Sequence, residues 1–121
     1  MTTEGITHTC WHDVKAEQIT PKILRRYLST TRMTVARIEL KAGGVVPRHA
    51  HENEQVTCVL TGALRFYSPS GTIDVRAGET ARIPGGVEHE VHALEDAVVI
   101  DVFSPIREDW INGTDTYFKR A

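Results

Sequence analysis

The run Gly43-Gly-Val-Val-Pro-Arg-His49-Ala-His51-Glu-Asn-Glu-Gln55-Val-Thr-Cys-Val-Leu-Thr-Gly62 decides how this chain is read. In an extended strand the side chains of residues i and i+2 point to one face, so His49 and His51 offer two imidazole nitrogens to a single point. Gln55 has the same parity and adds a carbonyl oxygen, provided the strand keeps its register between His51 and Gln55. One further donor from elsewhere completes a four-donor metal site.

The candidate for that donor lies in Gly78-Glu-Thr-Ala-Arg-Ile-Pro84-Gly-Gly86-Val-Glu-His89. Pro84, Gly85 and Gly86 make a turn that neither a helix nor a central strand tolerates, and His89 opens the next strand. A lone histidine is more often structural than ligating, and that reading is given to His8, His12 and His92. His92 stands three residues after His89, so in a strand it faces the other way. For His49, His51 and His89 together the balance reverses, because imidazole is a common metal ligand and all three can converge. A neutral amide is a weaker donor, so Gln55 either ligates directly or holds a bound water.

Outward from these two stretches, short strands alternate with Gly and Pro turns. Lys22 to Leu28 and Met33 to Leu40 read as strands before the first histidine, and Ala63 to Tyr67, Thr72 to Arg76 and Thr80 to Ile83 read as strands after it. The pattern predicts an all-β fold, a sandwich or barrel of two antiparallel sheets. One domain is expected for 121 residues, with an N-terminal arm over 1–21 carrying one short strand, a barrel over 22–111 and a C-terminal tail over 112–121. Trp11 finds no obvious burial partner in the arm.

The formal net charge of −2 comes with no basic cluster, which argues against nucleic acid or an anionic membrane as partner. No apolar run approaches the ~18 residues of a membrane span, and the N-terminus lacks the apolar core of a signal peptide, so a cytoplasmic protein is expected. The two cysteines, Cys10 and Cys58, make no disulfide framework, and Cys58 reads as a small buried hydrophobe.

Late in the chain, Ala97-Val-Val-Ile-Asp101-Val-Phe103-Ser-Pro-Ile-Arg107-Glu-Asp-Trp110 is apolar on both strand faces apart from one carboxylate. A strand of that kind is usually buried on both faces, so Asp101 is expected to be a buried acid. Desolvation then raises its pKa toward the range useful for proton transfer, unless an arginine or backbone donors hold it as a structural carboxylate. Ser104-Pro105 reads as a helix start, with serine as cap and proline in the first turn, which sets Arg107 on a short helix at the rim.

The first stretch resembles the first cupin motif, G-x5-H-x-H-x3-E-x6-G, with Gly43, His49, His51, position 55 and Gly62 in phase. The second resembles the second motif, G-x5-P-x-G-x2-H, at Gly78, Pro84, Gly86 and His89. Gln55 stands where the motif has glutamate, and Ala93 where an asparagine is expected. His49, His51, Glu54-Gln55-Val56-Thr57, His89 and Asp101 to Asp109 together resemble the KdgF-type small cupins, which linearise unsaturated uronates released by pectin and alginate lyases. The resemblance covers roughly residues 33 to 110. It implies a jelly-roll barrel and a metal held by three histidines and a glutamine, here His49, His51, His89 and Gln55. It also implies a substrate pocket lined by Asp101, Phe103 and Arg107.

Such an isomerase needs a divalent cation, and three imidazoles with one amide suit nickel, zinc, manganese, cobalt or iron. Neutral donors leave the cation its full charge for Lewis-acid work. On this reading Asp101 moves protons, Arg107 or Arg48 binds the carboxylate of a small sugar-acid substrate, and Phe103 walls the pocket. Three other readings of the same residues stay open: an iron dioxygenase, a lyase or epimerase on another small acid, and a non-catalytic sugar-binding or sensory cupin. A homodimer is expected, through edge strands or a strand exchanged from the arm.

Overall fold

The computed structural model describes residues 5–120. The first four residues of the expected arm and the last residue of the expected tail lie outside them. Ten strands form two antiparallel sheets: β1 Glu17–Thr20, β2 Ile23–Ser29, β3 Thr34–Leu40, β4 Val45–His49, β5 Glu54–Thr61, β6 Ala63–Ser68, β7 Gly71–Arg76, β8 Thr80–Ile83, β9 His89–Ala93 and β10 Ala97–Ser104. The six-stranded sheet runs β1-β2-β3-β10-β5-β8 and the four-stranded sheet β4-β9-β6-β7. No helix among the described residues is long and apolar enough to cross a membrane.

The period-2 alternation decides which side chains meet between the sheets. In β10, Ala97, Val99, Asp101 and Phe103 point inward and are buried, while Val98, Ile100 and Val102 face outward. Inward residues Leu40, Val59, Leu64, Phe66 and Val91 fill the space between the sheets. A second, smaller cluster of Ala36, Phe103 and Trp110 sits apart from it. Asp101 opposes Ala36 on β3 and Thr57 on β5, so small neighbours flank the one inward carboxylate of β10.

Three local expectations are corrected. His49 and Gln55 do not share a strand: β4 ends at His49 in the smaller sheet, β5 begins at Glu54 in the larger, and His51 lies in the connection between them. Convergence of the donors comes from the chain crossing between sheets, not from strand parity. The helix begins later than the Ser104 cap predicts, as α1 Glu108–Asn112. Asn53 Nδ2 donates to the carbonyls of Pro105 (2.6 Å) and Ile106 (3.1 Å), which occupies acceptors that a helix starting there would use. Ser104 instead ends β10, and its hydroxyl donates to the carbonyl of Arg32. Cys58 is on the outward face of β5 and only half-buried, because its parity is opposite to that of Gln55, Thr57 and Val59.

Within the expected arm lies one short strand, β1, which pairs with β2 of its own chain from Glu17. Its residues are mostly polar, so no apolar alternation announces it. At the other end Gly113 caps α1 with φ 70°, a left-handed conformation that glycine adopts at little cost. The chain then folds back, and a 3-10 turn at Tyr117–Arg120 packs against β4.

Candidate metal centre

His49 is the last residue of β4 and pairs with His89, the first residue of β9, so the register of two strands sets one imidazole beside the other. With His51 from the connection, the three offer nitrogens that all lie within 4.8 Å of one another. Each Nδ1 lies against a backbone carbonyl two residues away: His49 against Pro47 (2.9 Å), His51 against Asn53 (3.1 Å) and His89 against Val87 (2.9 Å). A carbonyl only accepts, so each Nδ1 carries the proton and each Nε2 keeps its lone pair.

Burial, followed by the neighbouring His89, pushes His49 down to about 3. Burial and then the Arg107 charge push His51 to about 4, and His89 is lowered first by burial. All three are neutral near pH 7, as metal ligands must be.

Gln55 Oε1 stands 3.1 Å from His51 Nε2. Its amide is oriented by a one-way relay: Gln55 Nε2 donates to Thr57 Oγ1 (3.0 Å), and Thr57 donates to Asp101 Oδ1 (2.6 Å). With Nε2 of His51 unprotonated, two lone pairs face each other, and a cation between them removes the conflict. The donor set therefore fits a divalent metal, with His49, His51, His89 and Gln55 as the residues that could hold it.

Asp101 is buried, and desolvation pushes its carboxyl up to about 6 against the opposing pulls of the Thr57 hydroxyl and the Arg107 charge. A cavity of about 60 Å³ brings together His49, Gln55, His89, Asp101, Phe103 and Arg107 above an apolar floor that includes Leu64, Phe66 and Val99. Phe103 meets His51 edge-on, with ring centres 5.6 Å apart.

Arg107 is 1% exposed and already engaged. It donates to both Asp109 oxygens, at 2.9 and 2.7 Å, and lies 4.6 and 4.3 Å from the ring centres of Phe103 and Trp110. Arg48 is exposed and lies in a groove outside the cavity, beside Glu88 and Thr114. His92 turns away from the cluster, and its Nε2 is 2.6 Å from Glu90 Oε2. His8 and His12 are exposed.

Three cavity residues escape the sequence reading. Thr57 shares the parity of Gln55, which is a legible signal for an inward position. Arg25 shares the parity of inward Ile23 and is 3% exposed, although an arginine beside Arg26 reads first as a solvated pair. Tyr117 carries no signal at all, since nothing in the polar tail shows that its ring stacks on His49 at 4.1 Å and 6°.

Residues 36–103 match the Cupin domain family. The chain is a cupin. An uncharacterised protein of Streptomyces coelicolor is 31% identical over 81 residues, 66% of this cupin and 77% of that protein. Among solved structures, KdgF from a Halomonas species superposes with TM-score 0.76 at 27% identity, covering 82% of this cupin and 94% of that chain. The polyketide cyclase RemF from Streptomyces resistomycificus superposes with TM-score 0.71 at 26% identity, covering 84% and 80%.

Proposed function

We propose that this cupin is a metal-dependent isomerase that opens the ring of 4,5-unsaturated uronates and ketonises the product. The observation that carries the reading is a cavity lined by His49, His89, the oriented Gln55 amide and a single buried carboxyl, Asp101, with His51 completing the cluster of three neutral imidazoles beside it. The likeness to KdgF in both structure and motif supports it.

Opening the hemiacetal removes a proton from the anomeric hydroxyl as the C1–O5 bond breaks. The enolate so freed becomes a ketone when a proton is added to C4. The proton lost and the proton gained balance, so one carboxyl can serve both steps. Asp101, held near pKa 6, is poised to take the first and return the second at neutral pH. The Thr57 hydroxyl fixes which oxygen of Asp101 is occupied and leaves Oδ2 for the substrate. Phe103 limits water at the carbon to be protonated. A divalent cation on neutral donors supplies Lewis-acid polarisation of substrate oxygens.

The test is incubation of metal-loaded protein with unsaturated galacturonate and unsaturated guluronate-derived monomers, following loss of the ultraviolet absorbance of the conjugated double bond. Loss no faster than the protein-free rate refutes the reading.

The apolar floor of the cavity favours a second reading. It suits an enolisable substrate with an apolar body, and a structural relative is a polyketide cyclase. The proton chemistry at Asp101 is the same, and turnover of an aromatic β-keto acid in place of the uronates would identify it.

A further inference from the structure

We propose that Arg25 binds the carboxylate of the substrate, and that in the resting protein Asp115 of the C-terminal strap occupies that position. The uronate reading supplies the sugar, but the inference requires only an anionic substrate.

Arg25 lines the same cavity as His49, Gln55 and Asp101, although it reaches it from β2. Its guanidinium lies over Trp110 at 4.1 Å and over Tyr27 at 5.7 Å, and its Nε donates to Glu17 at 3.2 Å. These contacts hold the group in place from its own sheet and from α1. The fourth contact is of another kind: Nη1 donates to Asp115 Oδ2 at 3.0 Å, ninety residues away on the strap. Among the described residues the side-chain hydrogen bonds of Arg25 leave from Nε and Nη1, and the buried Nε1 of Trp110, the ring against which the guanidinium lies, has no acceptor. The wall has more donors than acceptors, which an incoming carboxylate corrects.

The two arginines suggested by sequence are worse placed for this task. Arg107 spends its fork on Asp109, two residues away on the same rim, and Arg48 lies outside the cavity.

Size requires the strap to move. A cavity of about 60 Å³ holds a handful of waters at roughly 10–15 Å³ each, against about a dozen non-hydrogen atoms in a hexuronate. The strap closes it with Tyr117 stacked on His49, Phe118 packed on the core and Asp115 on Arg25. When Asp115 withdraws, Arg25 keeps Glu17 on its Nε, and its Nη1 is left without the carboxylate that the strap had supplied, a place that an anionic substrate can take.

The test is a double-mutant cycle on metal-loaded full chain, using calorimetric titration with three non-reacting probes. D-Galacturonate and benzoate carry a carboxylate, and galactose does not. Asp115→Asn is expected to tighten both carboxylates by roughly 2- to 5-fold, the range of a partly exposed ion pair lost from competition, and to leave galactose unchanged. In an Arg25→Gln background the gain disappears, which separates Arg25 from a general effect of removing one negative charge.

As a second readout, metal transfer to a chelator should be faster in Asp115→Asn than in wild type. If Arg25→Gln does not fold, Arg25→Lys replaces it, with the gain reduced. The proposal is overturned if Asp115→Asn tightens neither carboxylate, or if the gain survives undiminished in the Arg25 variant. A gain for benzoate with no binding of galacturonate keeps Arg25 and removes the uronate reading. Uronate turnover with no gain in Asp115→Asn does the reverse.

Discussion

Replacing Asp101 with asparagine separates catalysis from structure, because the surroundings of the side chain predict opposite signs for the two. An asparagine oxygen still accepts the Thr57 hydroxyl, so the relay from Gln55 through Thr57 survives and the amide oxygen stays turned toward the histidines. Metal content should therefore match the wild type. Asp101 is raised from 3.8 to about 6, and at roughly 1.4 kcal/mol per pK unit its ionised form destabilises the fold by about 3 kcal/mol at pH 7. Asparagine removes that cost and loses part of a charge-assisted hydrogen bond, so the variant should melt no lower than wild type at pH 7. Turnover should fall ~100- to 10,000-fold, the usual contribution of a positioned acid or base. Thermal melting, metal analysis and the absorbance assay on one preparation read all three quantities. A variant that keeps its rate per folded molecule refutes the proton-transfer role, and one that melts much lower refutes the desolvation argument.

Other expectations follow from the same geometry. His51→Ala and His89→Ala should lose most metal affinity, typically ~10-fold or more, while His92→Ala keeps it; equal metal content in all three would remove the ligand assignment. Gln55→Glu puts an anion beside Thr57 and Asp101, so it should hold metal more tightly yet turn over more slowly, and a faster variant would contradict the role given to neutral donors. In metal-free protein the three histidines have folded pKa values below 6.5, so unfolded chains take up protons that folded ones refuse, and stability falls as pH drops below 6.5. Asp101 has the opposite sign, binding its proton more readily when folded, so it offsets part of that loss between about 6 and 3.8. Urea midpoints across this range should drop more steeply for Asp101→Asn; a flat wild-type profile would contradict the burial of neutral imidazoles. Gly62 turns β5 into β6 at φ 81°, and a Cβ there would run into the backbone of Asp96 and Ala97, so Gly62→Ala should cost roughly 1–3 kcal/mol, read as a lower melting temperature.

The fold was legible because its punctuation is local. Glycines at 62, 78 and 86 all adopt positive φ, and each falls at a turn that the sequence reading had placed. The residue types of the site were legible too, since the histidines, Gln55 and Asp101 stand in short motifs. Illegible were the contacts made across long separations. The strand break between His49 and Gln55 lies in a polar stretch with the same parity as a continuous strand. The late onset of α1 goes with the hydrogen bonds of Asn53, more than fifty residues away, and the C-terminal segment meets the cavity wall through an ion pair between Arg25 and Asp115. Neither leaves a periodic trace, because each is set by tertiary packing and not by neighbours along the chain.

The proposed isomerase needs a metal and Asp101 together to add a proton to carbon in an unsaturated uronate. The direct measurement is proton NMR of the reaction with unsaturated galacturonate in deuterium oxide, comparing metal-loaded, metal-stripped and Asp101→Asn protein with a protein-free blank. The account predicts rapid formation of a keto acid carrying solvent deuterium at C4 with the metal-loaded protein alone. An unchanged substrate spectrum with metal bound, or equal rates with and without metal, would contradict it.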